Sequence, residues 1–421
     1  MYRDYSWKTR PLSVSKPAAL GIIACPGAEP FTSEIVSHLR SIHRKKYNRV
    51  AELLAKKYEL TLEEAIARIN FESDLHSPKL RSDLPADTIT APGFRLQVDF
   101  TRFANGEFKT EIRRSIRGME IYIVQDVENH HPIECNDGEE RHRLSVNDHC
   151  MILFTTIEAA LQAGAANVTL VLPTYPFARQ HGKSGREALT ASMFGRMIEQ
   201  LGVRRVITLD IHSKEIENSF QRVRLENLHG SYQILKKLKE VVTLEADDMV
   251  VVSPDTGAVD RNKFYSGNLG MSLALIYKDR DYTRVSKNAH ENNIMLLRLL
   301  GSVADRSVFM ADDLLGTGGT LIKAMSFLKD QGAREIVCGV SLPLFTGNAI
   351  ESFDEAYSRK LFHRIIGTNA VYHDEELLER EWFVQANISD LFARIIFRLH
   401  HNQSLSEFLD NSRIIQRLLG R

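Results

Sequence analysis

The sequence predicts an α/β fold with central, mainly parallel sheets. Two observations carry this. Short apolar runs rich in β-branched residues recur along the 421 residues, and helix-length segments separate several of them. Strand, helix, strand in repetition is the pattern of parallel sheets covered on both faces. Such sheets bind ligands beyond the carboxyl ends of their strands, so functional residues are expected just after the apolar runs. The length suggests two or three domains at roughly 100–200 residues each.

In chain order the expected strands are Leu20–Ala24, Ile121–Val124, Val168–Leu172, Val206–Leu209, Val250–Ser253, Leu273–Tyr277, Val308–Ala311, Ile336–Val340 and Ile365–Gly367. Expected helices include Met151–Ala163, Ala188–Leu201 and Leu321–Gln331. One stretch, His43 to Phe94, breaks the alternation. Val50, Leu53, Leu54 and Tyr58 form an apolar stripe on a helix there. Thr61-Leu62-Glu63-Glu64 reads as a capping box opening a further helix through Ile69. Pro78, Pro85 and Pro92 then punctuate an extended connection. A helical hairpin on the domain surface and an added oligomer contact are both open readings of this insertion.

Composition excludes several classes. Lysine plus arginine and aspartate plus glutamate number 54 each, so the chain has no general basic field, and binding to nucleic acid has no compositional support. No window offers about 18 consecutive apolar residues, which argues against a membrane span. The polar start, Met1 to Lys8, has no apolar signal core. Cys25, Cys135, Cys150 and Cys338 are scattered without CxxC spacing, which argues against a disulfide scaffold or structural zinc and points to a reducing cytosol.

The most specific local signal is Val308-Phe309-Met310-Ala311-Asp312-Asp313-Leu314-Leu315-Gly316-Thr317-Gly318-Gly319-Thr320. It joins an apolar strand, two acids, a glycine-rich turn and a helix from about Leu321. Such a turn aims backbone N–H groups at one point beside a helix N-terminus, which suits a phosphate monoester. Gly316, Gly318 and Gly319 permit close approach of a ligand, and Thr317 and Thr320 add hydroxyl donors. Asp312 and Asp313 could accept hydrogen bonds from a pair of sugar hydroxyls. A sugar phosphate satisfies both halves. No Gly-Lys-Ser/Thr follows the glycines, so this is not a Walker A loop.

These residues resemble the phosphoribosyl-diphosphate motif of the type I phosphoribosyltransferase fold, shared by phosphoribosyltransferases and ribose-phosphate diphosphokinases. Other segments resemble the second family, in its order. Pro173 to Lys183 is similar to its "PYxxYARQDRK", Phe103-Ala104-Asn105-Gly106-Glu107 to "FSDGE", and Arg205 to Ser213 to "RVITxDLHA". Val251 to Gly257 is similar to "VVSPDxGG", Leu275 to Arg280 to "AIIDKRR", and Phe345 to Ala349 to "FSGNA". The resemblance runs from about Ala19 to Leu409.

It implies two related phosphoribosyltransferase-like domains, at about 1–230 and 231–392, with a C-terminal helix over 393–421 returning to the first. Arg179, Gln180 and Lys183, with Phe103, Asn105 and Glu107 partly from a neighbouring subunit, would seat ATP. Asp312, Asp313 and Gly316 to Thr320 would hold ribose 5-phosphate. His212 and Asp255 would position Mg²⁺ on the nucleotide, and Lys278 and Arg280, on a mobile loop, would close over the triphosphate beside a catalytic His212. A cytoplasmic homo-oligomer built from dimers, with no nucleic-acid or membrane partner, is implied.

The pattern departs from the family where Gly316, His181 and Asn105 stand for aspartates and where Ala258 replaces a glycine. The segment Glu215–Gln221 also differs from the family's "QIQGFFD". The reading is transfer of the diphosphoryl group of MgATP to ribose 5-phosphate. A phosphoribosyltransferase and a non-catalytic regulatory paralogue are the alternatives.

Overall fold

A computed structural model describes residues 19–66, 93–135, 141–183, 185–244, 248–280 and 294–421. Two sheets dominate. In the first, β1 (Leu20–Ala24), β4 (Glu120–Val124), β7 (Asn167–Val171), β8 (Arg205–Leu209) and β9 (Arg224–Leu228) lie side by side in that order, and every pair is parallel. Two antiparallel hairpins accompany it: β2 (Val98–Arg102) with β3 (Phe108–Ile112), and β5 (Pro132–Glu134) with β6 (Arg141–Arg143).

The second sheet contains β10 (Met249–Ser253), β11 (Leu273–Arg280), β12 (Ile294–Leu300), β13 (Ser307–Leu315), β14 (Ile336–Pro343), β15 (Arg364–Thr368) and β16 (Phe383–Ala386). Its order is β12-β11-β10-β13-β14-β15-β16, parallel throughout except for the edge strand β12. Its central strands β10, β13, β14 and β15 are largely buried on both faces, as their continuous apolar runs require.

Helices cover both sheets: α1 (Glu29–Tyr58), α2 (Val146–Gln162), α3 (Thr190–Gln200), α4 (Ser231–Val241), α5 (Val259–Leu269), α6 (Gly319–Asp330), α7 (Ala349–Ser358), α8 (Glu375–Leu378), α9 (Ser389–His400), α10 (Ser406–Leu409) and α11 (Ser412–Leu418). Ser145 and Asp148 form a reciprocal capping box that starts α2 five residues before the expected Met151.

The expected insertion differs from expectation at its start. α1 is one continuous 30-residue helix, so His43 begins no new element. Its first half buries Phe31, Ile35 and Leu39 against α9, with the Phe31 and Phe392 rings 5.4 Å apart. The second half projects: Val50, Leu53 and Tyr58 are 39%, 59% and 54% exposed, so that stripe is not core. Thr61 and Glu64 do form the capping box, with Glu64 N–H donating to Thr61 Oγ1 at 3.2 Å. Its helix is described to residue 66, and Pro78, Pro85 and the remainder to Pro92 lie outside the described residues.

The single helix expected over 393–421 is three helices. α9 begins at Ser389 and lies on α1, whereas α11 packs Ile415 among Leu235, Leu238 and Leu269 of the second half. The two halves share a core in which Leu342 and Ala370 meet Leu209 and Leu228.

Candidate active site

The carboxyl ends of β8, β10 and β13 converge on a cavity of about 540 Å³ between the two sheets. Arg179, His212, Asp255, Asp312 and the loop from Gly316 to Thr320 line it. β13 runs to Leu315, and α6 opens at Gly319 with Gly318 as N-cap at φ 75°. A Cβ at Gly318 would enter the edge of the Phe353 ring, which stacks on Trp382 at 5.6 Å. Glycine is therefore required here by both the left-handed backbone and the packing beneath it. The first N–H groups of α6 have no intrahelical acceptor and are left to face a ligand.

An ion-pair network crosses from one sheet to the other. His212 Nδ1 stands 2.6 Å from Asp313 Oδ2. Arg261, from the first turn of α5, reaches Asp313 at 3.4 Å and Asp312 at 3.7 Å. Asp313 N–H donates to Asp312 Oδ1 at 2.9 Å. Burial and the neighbouring Asp313 charge push Asp312 up to about 7. Burial acts the same way on Asp313, but the His212 hydrogen bond and Arg261 outweigh it and hold its carboxyl well below the usual range. The bond to Asp313 raises the His212 pKa above its ordinary value.

Behind this network, part-buried Asp210 at φ 39° takes hydrogen bonds from His229 Nδ1 at 2.8 Å, Gly230 N–H at 3.0 Å and Ser341 Oγ at 2.6 Å. It ties β8 to β14 directly. The sequence reading did not single out Arg261 or Asp210. Arg261 lies six residues after Asp255 in the same strand-to-helix connection, and that spacing was the available signal.

The remaining residues that the sequence singled out fall in four places. His181, in the cavity wall, sets its ring 5.4 Å from that of His212 and its Nδ1 3.1 Å from Ala178 O. Gln180 and Lys183 lie beside Arg179 without lining the cavity. Phe103, Asn105 and Glu107 form the exposed turn of the β2–β3 hairpin, where Asn105 Oδ1 accepts from Glu107 N–H at 3.2 Å; they do not line the cavity of one chain. Lys278 and Arg280 were expected in a loop after Tyr277. Instead β11 continues through them, paired antiparallel with Leu297 and Ile294 of β12.

Asp255 Oδ1 accepts from Ala258 N–H at 3.1 Å and its carboxylate borders the cavity. Among the described residues no group of three or more His, Cys, Asp or Glu is placed to hold a metal ion. One carboxylate beside a phosphate cradle suits an Mg²⁺ that arrives on a nucleotide and keeps most of its waters. The four cysteines are all buried and unpaired, and no described helix is long and apolar enough to cross a membrane.

Parallel sheets carrying an acid pair and a glycine-rich phosphate loop define a protein of the phosphoribosyltransferase type. The family model described as the phosphoribosyl transferase domain matches residues 224–379, and that of the N-terminal domain of ribose phosphate pyrophosphokinase matches 85–202. Ribose-phosphate pyrophosphokinase A of Dictyostelium discoideum is 32% identical over 336 residues, covering 80% of this chain and 96% of its own. The Bacillus subtilis ribose-phosphate pyrophosphokinase is 31% identical over 308 residues, 73% of this chain and 87% of that one. The crystal structure of phosphoribosylpyrophosphate synthetase from Mycobacterium smegmatis shares the fold, with a TM-score of 0.65 at 21% identity over 91% of this chain and 99% of that one. This chain belongs to the ribose-phosphate pyrophosphokinase family, whose other name is ribose-phosphate diphosphokinase.

Proposed function

We propose that this enzyme transfers the β,γ-diphosphoryl group of MgATP to O1 of ribose 5-phosphate, giving 5-phosphoribosyl 1-diphosphate and AMP. O1 forms a bond to the β-phosphorus, the bond from that phosphorus to the oxygen bridging to Pα breaks, AMP leaves with that oxygen, and the O1 proton passes to solvent. The observation that carries the reading is the cavity itself: a phosphate loop and acid pair on one sheet face Arg179 and His212 on the other.

Gly316 to Thr320 hold the 5-phosphate, and Asp312 and Asp313 take the ribose hydroxyls. Asp312, near pH 7 in its titration, can donate or accept there. Arg179, Gln180 and Lys183 seat the triphosphate, with Asp255 placing Mg²⁺. His212, with Asp255 on the cavity wall, joins in placing Mg²⁺ on the nucleotide or polarises a phosphate. Lys278 and Arg280 supply late positive charge to the transferring group. Positioning and charge compensation suffice for such a transfer, and no covalent enzyme intermediate is required.

The nucleotide side is residues 1–230 and the ribose-phosphate side 231–392. Phe103, Asn105 and Glu107, turned outward on their hairpin, would seat adenine in a neighbouring copy, which makes a dimer-based homo-oligomer the working unit. Buried, unpaired cysteines fit the cytoplasm. A coupled assay of AMP release from MgATP and ribose 5-phosphate tests the reading. Folded protein that releases no AMP refutes it.

A further inference from the structure

The inference concerns His181 and deepens the reading above, on which it rests. The family pattern has an aspartate at this position, after Arg179 and Gln180. Here the side chain is an imidazole. Its ring centroid lies 5.4 Å from that of His212, with the two planes 67° apart. The rings come from different connections, His181 from the one after β7 and His212 from the one after β8. Both border the cavity that Asp255 also lines.

Each ring is held by its Nδ1. His181 Nδ1 is 3.1 Å from Ala178 O, and a carbonyl oxygen only accepts, so Nδ1 carries the proton. His212 Nδ1 is 2.6 Å from the Asp313 carboxylate, which selects the same tautomer of the neutral ring. The lone pair is then on Nε2 in both. Among the described residues neither Nε2 has a hydrogen-bond partner. A histidine that gives Nδ1–H to a carbonyl or carboxylate and keeps Nε2 free is arranged as metal-ligating histidines are. Two rings on one ion, with metal–nitrogen bonds of about 2.0–2.1 Å, have centroids about 6 Å apart or less. The observed spacing meets that limit. The pair supplies two nitrogens, and nucleotide oxygens and waters would complete the shell. That agrees with the absence, among the described residues, of a three-residue metal group.

We propose that His181 is a second imidazole ligand, beside His212, for the divalent ion that arrives on the nucleotide. A second nitrogen donor changes which ion the site prefers. Mg²⁺ is hard and takes oxygen, whereas first-row ions from Mn²⁺ onward also take imidazole. His181 thus makes the site selective for a transition-metal complex of the nucleotide over the Mg²⁺ complex.

The test uses the full chain with a non-hydrolysable ATP analogue and Mn²⁺ as the probe. Pulsed EPR counts histidine nitrogens on Mn²⁺ by the modulation that their nuclear spins impose on the echo. The wild type should show two, and His181→Asp and His181→Ala one each. Competition with Mg²⁺, read from the signal of released Mn²⁺, should show the wild type favouring Mn²⁺ at least tenfold more strongly than either variant does. His181 is only part-buried, so both variants should fold, and a melting curve checks this. One nitrogen or none in the wild type overturns the proposal, as does a nitrogen count or an ion preference that neither variant changes. AMP release by the wild type is read separately, with each ion. If it is absent while two nitrogens are found, the reaction assigned above fails and the ligation stands. If AMP is released and one nitrogen is found, the ligation fails and the reaction stands.

Discussion

His212 Nδ1 and Asp313 Oδ2 stand 2.6 Å apart, and that one hydrogen bond joins the carboxyl end of β8 in the first sheet to β13 in the second. The pair fixes the imidazole beside the acid pair and raises its pKa. Replacing His212 with Ala should lower kcat for AMP release by two orders of magnitude or more. Asp313→Asn, which withdraws the charge facing the imidazole, should lower it by a similar factor and also raise KM for ribose 5-phosphate. Steady-state kinetics with each substrate varied separates the two effects.

Glycines two positions apart in the phosphate loop should respond differently. Gly318→Ala forces a side chain into the Phe353 ring from a left-handed backbone. It is expected to cost about 2–4 kcal/mol of stability and to abolish ribose 5-phosphate binding. Gly316→Ala meets only movable side-chain ends, so its unfolding midpoint in urea should stay close to wild type.

Arg261 is the cation that buried Asp313 and part-exposed Asp312 share. Arg261→Met would leave Asp312 without its cation and Asp313 with His212 alone. The expected loss is about 2–4 kcal/mol, less than for a fully buried pair because the guanidinium side chain keeps 24% exposure. Chemical denaturation reads it directly. Arg261→Lys should recover part of the stability but less of the activity, since lysine cannot present a fork.

Stability should vary with pH through Asp126, at the end of β4. Its carboxylate accepts from Tyr372 N–H at 2.8 Å and Glu128 N–H at 3.1 Å. Burial nonetheless pushes it from the ordinary 3.8 up to about 7. The folded chain therefore holds a proton that the unfolded chain has released, so stability falls as pH rises from about 4 to 7 and levels off above. The change is on the order of 4 kcal/mol if burial acts in full. Calorimetric melting at pH 5, 6, 7 and 8 should show the decline in the wild type, and a flatter profile in Asp126→Asn.

The hairpin turn at Phe103 offers a test of assembly. Phe103 is 46% exposed, so Phe103→Ala should leave the melting temperature within about 2 °C. If the ring serves a neighbouring copy, KM for ATP should rise several-fold. Specific activity of the wild type should also fall on dilution below the dimerisation constant.

Much of this was readable before any coordinates. All nine expected strands exist, because a parallel strand buried on both faces must be apolar throughout and so stands out from its surroundings. The glycine-rich turn between β13 and α6 was equally plain, since its glycines and acids sit together. What escaped had another cause. β9 (RLENL) and the β2–β3 hairpin alternate charged with apolar residues and lie at the rim, where no continuous run marks them. β11 continues past Tyr277 because β12 covers it, a pairing no local pattern announces. The helix stripe at Val50, Leu53 and Tyr58 has the right period for a core face, yet these three side chains are exposed among the described residues. Arg261 and Asp210 are single charges whose partners are remote in sequence, so only the fold assembles them.

The chain's last 33 residues grip both lobes: α9 is clamped to α1, and α11 is lodged between α4 and α5. Any hinge motion that widens the crevice must stretch the ten or so residues joining those two anchors. That short tether sets a ceiling on how far the jaws can part to exchange substrates. Trimming the chain after His400 would remove the leash, and a looser, more easily proteolysed cleft should follow.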